Sequence, residues 1–233
     1  MPMKTKICGI TNLKDAECAI KYGAWAIGFN FYPKSPRFID PFKALKIIQA
    51  LSKPILKVGI FVDHPLNDIL QIQENLGLDL AQIYQDYTCK ARFKRKMIRV
   101  IQPQETLDLP PIKTLKDYAM VLIDAPRNRV SQKNILDRTN TRATNNASSQ
   151  NTFMEGYTPG DFGGTGRTAN WKIAKELACN ARLILAGGLN IKNINDAIKE
   201  VQPYAIDLCS GVERLVGIKD PRKVRNILKE TKL

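Results

Sequence analysis

One unit recurs along this chain: a short run of β-branched and aliphatic residues, then an amphipathic stretch, repeating about every 25 to 30 residues as βα units require. Strands are expected over 5–8, 24–29, 55–62, 80–83, 97–101, 118–123, 182–185 and 205–208. Helices are expected over 12–22, 40–51, 66–76, 88–96, 171–178, 191–201 and 220–229, while 102–117 is interrupted by proline and weakly helical. Start signals support several of these. Asn12 with Asp15 has capping-box spacing, and Asp40-Pro41 and Asp220-Pro221 each pair an N-cap residue with proline at the first helical position. Eight strands alternating with helices, in 233 residues without a second compositional block, point to one closed parallel (β/α)₈ barrel, a TIM barrel, spanning 1–233 as a single domain. The pattern breaks once, after the sixth strand. A polar segment at about 127–161, with the run Thr139-Asn140-Thr141-Arg142-Ala143-Thr144-Asn145-Asn146, lacks apolar periodicity and reads as a long insertion, either a lid or an excursion.

Composition narrows the partners. Lys and Arg total 36 against 22 Asp and Glu, a formal charge of +14 that favours anions such as phosphorylated metabolites, nucleic acid or an acidic surface. The densest basic run, Lys90-Ala91-Arg92-Phe93-Lys94-Arg95-Lys96, reads as a solvated helix face, and no RNP, KH, zinc-finger or helix-turn-helix pattern accompanies it, so no specific nucleic-acid partner is expected. No apolar run approaches the roughly 20 residues of a membrane span, and the first residues run directly into a strand with no secretory signal. Five cysteines, widely spaced and without a C-x-x-C pair, argue against a disulfide framework or a zinc site and fit a reducing, cytoplasmic setting. The single histidine, His64, precedes Pro65 in a loop where an exposed or helix-capping role is expected.

In a barrel the loops after the strands form one rim, and chemistry concentrates there. Cys8, Asp124 and Asp207 all sit at expected strand ends, so they converge on one cavity. Each also has a plainer reading: a free thiol behaves as a small hydrophobe, and a strand-end carboxylate can cap a loop or pair with a lysine. Gly187-Gly188 after the seventh strand and Ser210-Gly211 after the eighth occupy the loops where barrels build phosphate sites from backbone N–H groups. Gly163-Gly164-Thr165-Gly166 lacks the Walker lysine and follows no strand directly, so alone it is a weak nucleotide motif.

Six stretches stand out in order along the chain: Lys6-Ile7-Cys8-Gly9-Ile10-Thr11-Asn12, Gly28-Phe29-Asn30-Phe31-Tyr32-Pro33-Lys34-Ser35-Pro36-Arg37, Val58-Gly59-Ile60-Phe61-Val62, Gly163-Gly164-Thr165-Gly166, Leu185-Ala186-Gly187-Gly188-Leu189-Asn190, and Asp207-Leu208-Cys209-Ser210-Gly211-Val212-Glu213 with Gly217-Ile218-Lys219-Asp220. Together they resemble the phosphoribosylanthranilate isomerase family. The resemblance implies a ribulose-phosphate-binding barrel catalysing an Amadori rearrangement in tryptophan biosynthesis, with no metal or organic cofactor, as a monomer or homodimer. It implies Asp124 as general acid at the ribose ring oxygen and Cys8 as general base at C2′. It further implies Arg37 on the anthranilate carboxylate, backbone groups of Gly187, Gly188, Ser210 and Gly211 on phosphate, and Asp207 near the substrate amine or sugar hydroxyls.

Three residues and one segment depart from the family pattern: Tyr84 and Gln85 stand where His-Gly is usual, Cys209 where a small polar residue is usual, and the insertion begins three residues after Asp124, where the family has a far shorter connection. Two alternatives stay open on the residues. One is another phosphate-binding barrel of the tryptophan or histidine pathways, which calls for strand-end lysines or two aspartates where this chain has Cys8 and Asp124. The other is an inactive barrel that binds nucleic acid or an acidic protein through its basic surface.

Overall fold

The computed structural model describes residues 2–103, 109–125 and 169–232. Eight strands close a parallel barrel in chain order: β1 (Lys4–Ile7), β2 (Ala26–Asn30), β3 (Leu56–Phe61), β4 (Leu80–Ile83), β5 (Met97–Ile101), β6 (Met120–Ile123), β7 (Leu183–Leu185) and β8 (Ala205–Leu208), with β8 pairing back onto β1. The expected bounds of β4, β5 and β8 hold to the residue. β1 stops one residue short, which makes Cys8 the first residue of the rim loop rather than the last of the strand.

Around the barrel lie α1 (Leu13–Tyr22), α2 (Pro41–Gln49), α3 (Leu66–Asn75), α4 (Ala91–Lys94), α5 (Ile112–Leu115), α6 (Trp171–Ala178), α7 (Ile194–Val201) and α8 (Pro221–Glu230). The capping signals act as read. Asn12 Oδ1 accepts the Asp15 N–H at 2.9 Å, and Asp40 and Asp220 accept the first free N–H groups of α2 and α8. Gly23, at φ +86°, closes α1 in the left-handed conformation that glycine adopts without strain.

The basic stretch is the main departure. A helix over 88–96 was expected, and only the single turn α4 forms. Lys90/Lys94 and Arg92/Lys96 set like charges four residues apart, Lys90 offers no side-chain cap, and no α4 residue is buried, so little holds a longer helix. The helix expected from residue 191 begins at Ile194, because Asn190 and Asn193 take the preceding N–H groups into side-chain turns. His64 does not cap α3. Its half-buried ring sets Nε2 3.2 Å from the Phe31 carbonyl and meets Phe61 edge-on. The insertion at about 127–161 and the run Gly163-Gly164-Thr165-Gly166 lie outside the described residues.

Side chains on the strands alternate between two cores. One set, including Ile7, Ile27, Phe29, Phe61, Ile83, Val121 and Leu185, packs outward against the helices. The other, including Ala26, Val58, Ile98, Val100, Met120, Leu122, Ile184 and Ala205, fills the barrel interior. Among the described residues no helix is long and apolar enough to cross a membrane.

Candidate active site

The alternation of β1 that sends Ile7 outward sends Lys6 inward, and the next inward position is Cys8. The β8 register aligns Lys6 with Asp207, and the ladder continues where the Cys8 N–H donates to the Leu208 carbonyl at 2.8 Å. Lys6/Asp207 therefore form one interior step, and Cys8/Cys209 stand side by side on the step above it. β2 makes room for them with Gly28. A Cβ there would lie 3.0 Å from Cys8 Sγ and 3.2 Å from Lys6 Cε, tighter than a relaxed contact.

Lys6 is fully buried and its ammonium donates to Asp207 Oδ2 at 2.7 Å and to Gln82 Oε1, from β4, at 3.0 Å. Burial opposes that charge, but the carboxylate of Asp207 and the Cys8 sulfur outweigh it and hold the ammonium above the usual lysine range. The strand-end carboxylate thus has the lysine partner that its plainer reading called for. Asp207 Oδ1, also buried, has no hydrogen-bond partner among the described residues.

Beyond β8 a 3₁₀ turn (Ser210–Val212) leads into a small antiparallel hairpin, β9 (Glu213–Leu215) and β10 (Ile218–Lys219), which the strand pattern does not announce. Gly217, at φ +78°, makes its turn. The hairpin carries a buried ionic cluster against the rim. Arg37 holds Glu213 with two bonds of 2.8 Å from Nε and Nη2, and Lys219 Nζ reaches the same carboxylate at 3.0 Å. Burial pulls the Glu213 carboxyl up, but these two cations prevail and its pKa is lowered. Lys219 Nζ also stands 3.9 Å from Cys209 Sγ and 3.3 Å from its carbonyl.

These elements surround a cavity at the carboxyl end of the barrel. Cys8, Arg37, Asp124, Gly187, Gly188, Asp207 and Ser210 all line it, so seven of the residues expected from the sequence meet in one place. Gly211 stands behind the wall. A Cβ there would fall 2.0 Å from the Leu189 carbonyl oxygen, so glycine is needed for the β7 and β8 loops to approach. Gly187 and Gly188 have φ of +83° and +63°, and the Gly188 carbonyl is fixed by the Asn190 and Asn193 side-chain amides. Asp124 enters after β6; its Oδ1 accepts the Ala125 N–H at 2.8 Å, and Gln102 Nε2 lies 3.4 Å from its Oδ2. Tyr84 lines the cavity and gives its carbonyl to Arg99, whereas Gln85 turns away to Tyr87 and His64.

A family model described as N-(5′-phosphoribosyl)anthranilate (PRA) isomerase matches residues 5–230. The chain belongs to the N-(5′-phosphoribosyl)anthranilate isomerase family. Among relatives of that name, the one from Syntrophus aciditrophicus is 36% identical over 227 residues, 96% of this chain and 84% of the relative. The one from Pelobacter propionicus is 35% identical over 232 residues, 99% and 96% of the two chains. The crystal structure of phosphoribosyl anthranilate isomerase from Thermotoga maritima superposes with a TM-score of 0.73 at 28% identity, covering 99% of this chain and 98% of that one. A second family structure, in complex with reduced 1-(o-carboxyphenylamino)-1-deoxyribulose 5-phosphate, has a TM-score of 0.73 at 27% identity and covers 99% and 98% of the two chains.

Inspection of strand ends alone does not select five further residues at this cavity: Gln82 and Cys209, which line it, and Lys6, Glu213 and Lys219, which bond to residues that do. Lys6 and Cys209 were within reach, since each is two positions from a strand-end candidate and so shares its face. Gln82 is also an inward strand position, but Glu213 and Lys219 become visible only once the hairpin is formed.

Proposed function

We propose that this chain catalyses the Amadori rearrangement of N-(5′-phosphoribosyl)anthranilate to 1-(2-carboxyphenylamino)-1-deoxyribulose 5-phosphate in tryptophan biosynthesis, without metal or organic cofactor. The observation that carries the reading is the lining of one rim cavity by a thiol just after β1 and a carboxyl just after β6, beside an arginine and two glycine loops. The reaction needs an acid and a base on different atoms of one sugar, and separate barrel strands supply groups to one ligand from separate directions.

Asp124, protonated, gives its proton to the ring oxygen, the C1′–O bond breaks and a Schiff base forms. Cys8, as thiolate, removes the C2′ proton, and the resulting enolamine tautomerises to the ketone. Arg37 meets the anthranilate carboxylate through Nη1, the guanidinium nitrogen that Glu213 does not engage, while Glu213 holds the fork rigid. Backbone groups of Gly187, Gly188, Ser210 and Gly211 take the phosphate. Asp207, anchored at Oδ2 by Lys6, offers Oδ1 to the substrate amine or a sugar hydroxyl. The formal charge of +14 draws in a substrate bearing phosphate and carboxylate, an attraction that salt screens. Each proton-transfer group contributes roughly 10²–10⁴-fold, so two supply roughly 5–11 kcal/mol at ~1.4 kcal/mol per decade, and positioning supplies the remainder.

The same reading takes residues 1–233 as one barrel domain with 127–161 inserted, working in the cytoplasm as a monomer or homodimer. The test is to mix the purified chain with N-(5′-phosphoribosyl)anthranilate and identify the product. Formation of the ketoamine above the uncatalysed rate is expected, and its absence overturns the proposal.

A further inference from the structure

A second thiol stands beside Cys8 at the rim. Cys8 and Cys209 directly follow neighbouring strands that pair in register and line the same cavity, and Cys209 Sγ stands 3.9 Å from both Lys219 Nζ and Glu213 Oε1. The charged groups around them are Lys6 and Asp207 from β1 and β8, Arg37 from the loop after β2, Glu213 from β9 and Lys219 from β10; Asp124, after β6, lines the same cavity and is neutral as the protonated acid of the proposed reaction. Asp15, on the far side of β10, is taken up by Asn12 and the Lys219 backbone N–H. Three cations and two carboxylates leave one positive charge in a buried cluster, and buried charge calls for a counter-charge. A single thiolate in the pair supplies it.

We propose that Cys8 and Cys209 share one proton and act together as the base, Cys209 taking the proton of Cys8 as Cys8 removes the one on C2′. This rests on the isomerase reading above. In the resting pair the Cys8 S–H donates to the Cys209 thiolate. In the step, the Cys8 S–H bond breaks, its electron pair staying on Cys8, and a lone pair of Cys209 forms a new S–H bond. Cys8 then bonds the C2′ proton, while the C2′–H pair becomes the C1′=C2′ bond of the enolamine. The pair holds one proton before the step and two after. It gives the extra one back as the enolamine becomes the ketone, in which C1′ gains a hydrogen and O2′ loses one. The electrostatics run the same way. The hydrogen bond from Cys8 and the cations Lys219 and Arg37 overcome burial and bring Cys209 down to about 6, whereas the Cys209 bond, burial and Asp207 push the Cys8 thiol up.

The test titrates thiolate by its ultraviolet absorbance in wild type, Cys209→Ser, Cys209→Ala and Cys8→Ala, and records the pH profile of kcat/KM for wild type and both Cys209 variants. Wild type should carry about one thiolate per chain at neutral pH, far more than the few per cent expected of free thiols, and each single variant should lose most of it. In Cys209→Ser, which keeps size and hydrogen bonding but cannot hold the charge, the acidic limb of kcat/KM should move up by more than about one pH unit. A structural role for Cys209 would lower activity at every pH and leave the limb in place, and that result overturns the proposal. So does a wild type with no more thiolate at neutral pH than its variants. The titration needs no turnover, so failure of the pair and failure of the isomerase reading are told apart. It stands on wild type and Cys8→Ala alone should the Cys209 variants not fold.

Discussion

Replacing Lys6 with methionine tests how far the barrel interior depends on the Lys6–Asp207 pair. Methionine keeps most of the length of the side chain and removes the ammonium. The lost contacts are the 2.7 Å bond to Asp207 Oδ2 and the 3.0 Å bond to Gln82 Oε1, both inside the barrel where Lys6 is fully buried. Asp207 Oδ1 already lacks a partner among the described residues, so the substitution leaves a nearly buried carboxylate stripped of its cation. Breaking one side of a buried pair costs about 3–5 kcal/mol. That is a large share of the roughly 5–15 kcal/mol that holds a typical domain folded. At about 2–4 °C per kcal/mol for a chain of this size, Tm should fall by roughly 6–20 °C. The double variant Lys6→Met/Asp207→Leu removes both charges and leaves only Gln82 short of a bond, a cost of about 1–3 kcal/mol, so it should regain a good part of the loss. Urea unfolding of wild type, the single and the double variant measures this. A single variant within about 1 kcal/mol of wild type, or a double variant no more stable than the single, refutes the account of the pair.

Two further outcomes follow from the same geometry. Gly28→Ala forces a methyl group to 3.0 Å from Cys8 Sγ and 3.1 Å from Ile60 Cδ1, so it should destabilise by about 1–3 kcal/mol and lower kcat/KM at least tenfold by moving the thiol; chemical denaturation and turnover check it, and no change in either contradicts it. Glu213 has a lowered pKa despite burial because Arg37 and Lys219 hold its charged form, so its contribution is full above the unfolded value near 4.5 and is lost as pH falls through the lower folded value. Acid unfolding curves should therefore show Glu213→Gln less stable at neutral pH but with a shallower fall below about pH 4, and parallel curves would count against the cluster.

Much of the architecture was legible because local and global signals agree. Leu80–Ile83, Met97–Ile101 and Ala205–Leu208 are short apolar runs bounded by turn residues, and they are strands with those bounds. Asp40-Pro41 and Asp220-Pro221 act within three residues of themselves, so tertiary context has little to override. The basic run at 88–96 misleads because spacing alone does not count repulsion and missing burial. Cys8, Asp124 and Asp207 were legible as strand ends, but what holds them was not. The Lys6–Asp207 bond joins positions 201 residues apart and the Arg37–Glu213 bond positions 176 apart. The first depends on barrel closure, and the second on a hairpin whose strands are three and two residues long, below the length at which alternation can be read.

The most direct measurement compares kcat/KM toward N-(5′-phosphoribosyl)anthranilate for wild type, Cys8→Ala and Asp124→Asn, with circular dichroism confirming that each variant is folded. Each variant should lose about 10²–10⁴-fold. A folded Cys8→Ala or Asp124→Asn that turns over substrate as fast as wild type would contradict the assignment of base and acid to this cavity.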